Sequence, residues 1–74
     1  MQRYVKTDYD GCSYITAGKV YEYNDKRWPY RIASDNEGDI FIGNDSDVTA
    51  YPCEHLDDVG YWQWCDKDGN IIND

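Results

Sequence analysis

The sequence predicts an all-β or mainly β fold, a small barrel of five to six short antiparallel strands, and three features point to it. Apolar residues arrive in short bursts, separated every eight to twelve residues by turn-forming clusters. The bursts are rich in Tyr, Trp, Val and Ile, which suit a pleated, half-buried surface. No window of eleven residues places apolar side chains at i, i+3, i+4 and i+7, so no long helix is expected. Closure into a barrel removes the open strand edges that promote aggregation.

Each element has a local reason. Arg3 to Thr7 reads as the first strand and Val20 to Tyr23 as the second. Between them Gly18 supplies the positive φ needed where an extended loop folds back into a strand. Lys19 then points to solvent, Val20 inward, and Tyr21 and Tyr23 to the other face. Tyr30 to Ser34 and Asp39 to Gly43 flank Asp35-Asn36-Glu37-Gly38, which is hairpin chemistry because Asn and Gly tolerate positive φ. At most one short helical or 3₁₀ turn is expected, around Glu54-His55-Leu56. Tyr61 to Cys65 is a further strand, and Asp66-Lys67-Asp68-Gly69 turns the chain into Asn70 to Asn73 as a C-terminal hairpin. The core expected from these elements is Val5, Ile15, Val20, Ile32, Ile40, Ile42, Leu56 and one of Trp62 or Trp64.

The 74 residues suffice for one domain, residues 1–74. A chain this short buries only about 60% of its unfolded surface, which argues against a deep catalytic cavity. The formal net charge is −8, unevenly spread. Residues 1–34 carry +2, from Arg3, Lys6, Lys19, Lys26, Arg27 and Arg31 against four acids, and residues 35–74 carry −10. Aromatic residues make up 16% of the chain, which separates it from a disordered acidic tail. No apolar run reaches the roughly 18 residues of a membrane span, and the N-terminus lacks the apolar stretch of a signal peptide. Three cysteines, an odd number, fit reduced thiols and a cytoplasmic location.

Several segments also carry a family resemblance. Tyr14-Ile15-Thr16-Ala17-Gly18-Lys19-Val20-Tyr21-Glu22 resembles the "L-T-x-G-K-x-Y-E" signature of small SH3-like barrel proteins common in bacteriophage and prophage genomes. The segments Tyr30-Arg31-Ile32 to Gly38-Asp39-Ile40 and Cys53-Glu54-His55-Leu56 to Trp62 are similar to their "Y-x-I-x-x-D-x-G-D" and "C-x-H-L…W" stretches. The likeness covers roughly residues 2–65, with the C-terminal hairpin as an addition. It implies an SH3-like barrel of phage origin working in the bacterial cytoplasm, and no particular reaction.

The candidate chemical sites are each better explained as structure. Cys53 and His55, with Cys12 and Cys65, offer one close pair and two distant singles, where structural zinc sites show two close pairs. As a nucleophile pair, Cys53 and His55 lack an orienting acid. Asp66-Lys67-Asp68-Gly69-Asn70 opens like a calcium loop, but Ile71 stands where its glycine belongs. Gly18-Lys19-Val20 lacks the rest of a phosphate loop. The expectation is therefore no enzyme, no metal and no cofactor. Direct nucleic-acid binding is also disfavoured, although Tyr4, Tyr21, Tyr23, Trp28 and Tyr30 interleave with the basic residues of the first half.

Protein binding remains. The acidic half suits a host or phage protein with a basic surface, because charge complementarity steers encounter and selects partners. The sharpest form is a nucleic-acid mimic that inhibits a host defence complex of the anti-CRISPR or anti-restriction kind. The residues expected to carry it are Asp35, Glu37, Asp39, Asp45, Asp47, Asp57 and Asp58, with Trp62 as an apolar anchor. The alternative is an SH3-like adaptor whose groove for a peptide is made by Trp28, Pro29, Tyr30, Trp62 and Trp64.

Overall fold

In a computed structural model, which describes residues 2–36 and 38–72, strand β1 (Arg3–Lys6) is the central member of a three-stranded sheet. On one side it pairs antiparallel with β2 (Tyr21–Tyr23), Val5 opposite Tyr21. On the other it pairs with β5 (Gln63–Cys65), Tyr4 opposite Cys65. Strands β3 (Arg31–Ala33) and β4 (Asp39–Phe41) form a second antiparallel pair, with Ile32 opposite Ile40. A bridge between Asn24 and Arg31, closed by backbone bonds of 2.7 and 3.0 Å, joins β2 to β3. The pairing order is thus continuous, β5-β1-β2-β3-β4, and a single 3₁₀ turn, Glu54–Leu56, precedes β5. This is the small, mainly β architecture that the apolar bursts predict.

Side-chain alternation explains the strands. β3 and β4 each place one isoleucine inside and expose its neighbours, and β2 buries Tyr21 and Tyr23 around an exposed Glu22. The turns fall where glycine allows them: Gly18, Gly38 and Gly69 have φ of 80°, 79° and 89°. Gly18 also donates its N–H to the Thr7 carbonyl at 2.8 Å, which holds the long β1–β2 loop closed. In the C-terminal hairpin the described residues form a Cys65–Ile71 bridge and a bond from the Ile72 N–H to the Trp64 carbonyl, and Asn73 lies outside the described residues.

Both sheets share one core. Val5, Ile15, Ile32, Ile40, Ile42, Leu56 and Trp62 are buried as expected, joined by Val48 and Cys53. Val20 corrects the expectation: it is half-buried, while Tyr21 and Tyr23 point inward. A thin core gains more from a phenol ring than from a valine, provided the hydroxyl finds a partner. Tyr21 donates to Asp35 Oδ1 at 3.1 Å and accepts the Thr16 N–H at 2.7 Å, and Tyr23 donates to the Gly43 carbonyl at 2.9 Å. Thr7 is buried but satisfied, donating to the Tyr61 carbonyl at 2.8 Å. The radius of gyration is 11.0 Å, close to the roughly 11 Å expected for a compact chain of this length. Among the described residues no helix is long and apolar enough to cross a membrane.

Candidate functional site

The acids expected to form one binding face divide into internal and free groups. Asp35 is exposed but paired within the fold: it takes the Lys19 ammonium at 2.6 Å and the Thr16 hydroxyl at 2.6 Å, besides the Tyr21 phenol. Asp45 and Asp25 both hold Arg3, at 2.7 and 2.5 Å, and that guanidinium lies over the rings of Trp64 and Tyr23. The first half of the chain therefore spends two of its cations on neutralising carboxylates within the fold. Asp57, in a left-handed conformation, receives the hydrogen bond of the Tyr9 phenol. That bond holds the Tyr9 pKa up at about 12. Asp39 and Asp58 are exposed and Asp47 is half-buried, and none of the three forms an ion pair among the described residues. Glu37 lies outside the described residues.

The anchor role of Trp62 is a correction: the residue is fully buried, edge-to-face with Tyr21 at 5.9 Å, and so fills the core place expected of one of the two tryptophans. Its indole offers more apolar area than any aliphatic side chain to a core short of aliphatic residues. The adaptor groove divides for the same reason. Trp28 and Tyr30 lie together, but Trp64 is half-buried beneath Arg3, and Trp62 is inside.

The internal carboxylates give a pH dependence. The Lys19 bond, followed by the Thr16 bond, holds Asp35 below the ordinary carboxylate range, and Arg3 does the same for Asp25. A depressed folded pKa stabilises the fold above the unfolded value of about 4, and this is lost as pH falls through the folded value. The urea midpoint of the wild type is expected to drop between about pH 5 and pH 2, and that of Asp35→Asn to drop less. Equal losses in both proteins would contradict this role of Asp35.

What the fold assembles instead is a groove between the end of β4 and the 3₁₀ turn. Phe41, Tyr51 and Pro52 give it apolar surface, and Asp47, Glu54 and Asp58 give it charge. Local turns position these side chains. Asn44 Oδ1 accepts the N–H groups of Ser46 and Asp47, both at 3.1 Å, and so sets the turn that presents Asp47. Tyr51 follows, its N–H on the Asp47 carbonyl at 3.3 Å. The Cys53 carbonyl accepts the Leu56 and Asp58 N–H groups at 2.9 and 3.1 Å, which brings Glu54 and Asp58 to one rim. Tyr51 is 63% and Phe41 41% exposed, so these rings are open to a partner. Sequence reading names Asp47 and Asp58 but misses Glu54, Phe41 and Tyr51, because only the return of the chain to β4 joins them.

Beside the groove stands the loop between β2 and β3. Trp28, 62% exposed, packs edge-to-face on Phe41 at 5.3 Å and on Tyr30 at 5.4 Å. Lys26, Arg27 and Arg31 are exposed and form no ion pair among the described residues, and Lys26 and Arg31 line a cleft with Glu22, Asp25 and Asp39.

His55 Nδ1 is hydrogen-bonded to the Tyr14 hydroxyl at 2.8 Å. Cys12 is half-buried, Cys53 and Cys65 are buried, and all three are free thiols. Burial pushes the Cys65 pKa up, away from thiolate reactivity. Asp66 accepts the N–H groups of Asp68 and Asn70, each at 2.9 Å, so its carboxylate is used in its own turn. No group of three metal-ligating side chains converges among the described residues. No protein family, curated protein or solved structure matches the chain.

Proposed function

We propose that this protein is a non-enzymatic binding module that docks onto a protein with a basic surface through the groove between β4 and the 3₁₀ turn. The observation that carries the reading is the pairing of exposed Phe41 and Tyr51 with Asp47, Glu54 and Asp58, acids that no cation of the described chain neutralises. Aromatic anchors supply contact area, and the acids supply steering and selectivity. In its sharpest form the partner is a nucleic-acid-handling defence complex of a bacterial host, with the acids standing in for phosphates. The net charge of −8 and the resemblance to phage SH3-like barrels support that form. Mimicry needs charges arrayed at duplex spacing, about one per 1.7 Å of axis. Since Asp35 and Asp45 are internally paired, the acids of the expected face that are left for such an array are Asp39, Asp47, Asp57 and Asp58, with Glu54 beside them. The exposed rings of Trp28 and Tyr30 favour a second reading, an adaptor that holds a peptide on the aromatic cluster.

The test is capture from bacterial lysate at low and high salt, with wild type and with the triple variant Asp47→Lys, Glu54→Lys, Asp58→Lys. A basic partner held at low salt, released at high salt and lost by the triple variant is the expected result. A partner retained by that variant at high salt but lost by Trp28→Ala would favour the adaptor. A partner indifferent to both variants would overturn the groove.

A further inference from the structure

Antiparallel pairing fixes which backbone groups of β4 are used. The Ser34 N–H bonds the Gly38 carbonyl at 2.9 Å, and Arg31 exchanges both of its backbone bonds with Asn24, beyond β2. Ala33 opposite Asp39 and Arg31 opposite Phe41 are therefore pairs without hydrogen bonds of their own, and Ile32 opposite Ile40 is the bonded pair between them. The N–H and C=O of Asp39 and of Phe41 thus point away from β3. β4 ends the pairing order, and no described residue bonds these backbone groups. Both residues are exposed, and buried backbone groups are nearly always paired, so this edge stands in water. The acidic groove starts from it, since Phe41, Ile42 and Gly43 line that groove together with Asp47, Glu54 and Asp58. We propose that the groove receives an extended, Lys- or Arg-rich segment of its partner, which adds as a strand to the outer edge of β4.

The proposal rests on the groove being a docking surface for a basic protein, and it names the form that partner takes there. Two requirements meet in one occupant. The edge offers donors and acceptors at the two-residue period of a strand, which an extended backbone matches. Asp47, Glu54 and Asp58 have no cation within the described chain, which calls for basic side chains along that backbone. The half-open Phe41 ring gives a side chain of the added strand an apolar contact. β4 spans only three residues, so its edge alone holds a peptide weakly and the acids supply the rest. Affinity should therefore fall as salt screens those charges. A second copy of the chain fits this edge badly. Pairing β4 with β4 gathers Asp47, Glu54 and Asp58 of both copies at one seam, where like charges repel.

The experiment titrates the protein with a short capped peptide in which Lys alternates with Val, read by fluorescence anisotropy and by amide hydrogen exchange. Two derivatives carry N-methyl groups, one on every Val and the other on every Lys. Binding of the parent peptide should slow exchange of the Asp39 and Phe41 amides and leave Ile40, already bonded to β3, unchanged. Only alternate residues of an added strand turn their N–H groups to β4. One derivative should therefore bind at least about tenfold more weakly than the parent, and the other about as well. Derivatives that bind alike, or Asp39 and Phe41 amides that exchange as fast with the peptide as without it, would overturn strand addition. Amides already protected in a protein that sediments as a dimer would overturn it in favour of a second copy. The triple variant Asp47→Lys, Glu54→Lys, Asp58→Lys separates the proposal from the reading beneath it. If that variant loses the parent peptide while both derivatives bind wild type alike, the groove stands and the added strand falls. A parent peptide that fails to bind, beside a basic protein captured from lysate, likewise overturns the strand alone. A peptide that binds the triple variant as tightly as wild type would overturn the groove and the strand together.

Discussion

Trp62→Ala is expected to lower the unfolding free energy by about 3–5 kcal/mol, the usual cost of emptying a large aromatic site in a core. A chain of this length holds only about 4–11 kcal/mol in total, so the variant should be partly unfolded without denaturant. Trp62 is fully buried, packs its ring edge-to-face with Tyr21, and belongs to a core with few aliphatic residues to collapse into the space. Its indole N–H has no hydrogen-bond acceptor among the described residues, so volume rather than polarity sets its value. Trp62→Phe should therefore recover much of the loss. Urea unfolding followed by circular dichroism measures both variants. A Trp62→Ala midpoint near that of wild type would show that the ring is not the centre of the core. The other role that the sequence allows Trp62, an apolar anchor on the surface, predicts that harmless outcome.

Gly60→Ala is the second large effect, and its reason is steric. A Cβ there would stand 2.6 Å from the Leu56 Cβ and 2.8 Å from the Tyr9 Cβ, atoms fixed to their own backbones that no rotamer change can move. Overpacking of this kind costs about 1–3 kcal/mol. Gly60 also closes the 3₁₀ segment, accepting the Cys53 N–H at 2.9 Å and donating to the Leu56 carbonyl at 3.0 Å. The shift should reach Glu54 and Asp58 and weaken capture of a basic partner along with the fold. Gly38 is the opposite case: open space surrounds it, and only its φ of 79° requires glycine. A Gly60→Ala midpoint equal to wild type would mean that Tyr9 does not pack against this loop in solution.

Much of the fold was legible because strands and turns are local. Alternation around Ile32 and Ile40 follows from a side-chain period of two, and the turns at Gly18, Gly38 and Gly69 follow from a backbone freedom that other residues lack. Two-residue periodicity does not by itself say which face is inside. Periodicity alone therefore allows Val20 inside and Tyr21 outside, the reverse of the structure, and only the tertiary structure separates the two tryptophans around β5.

The binding face was less legible, since a carboxylate looks the same in sequence whether it is paired or free. Asp35 meets Lys19 across 16 residues and Asp45 meets Arg3 across 42, and only the strand order brings those partners together. Glu54 joins Asp47 for the same reason, through a loop that returns to the end of β4. The sequence by itself determined the mainly β class, the turns, most of the aliphatic core and the acidic character. The tertiary structure alone decided which acids remain available and which aromatic rings face solvent, because long-range pairing has no local signature in the chain.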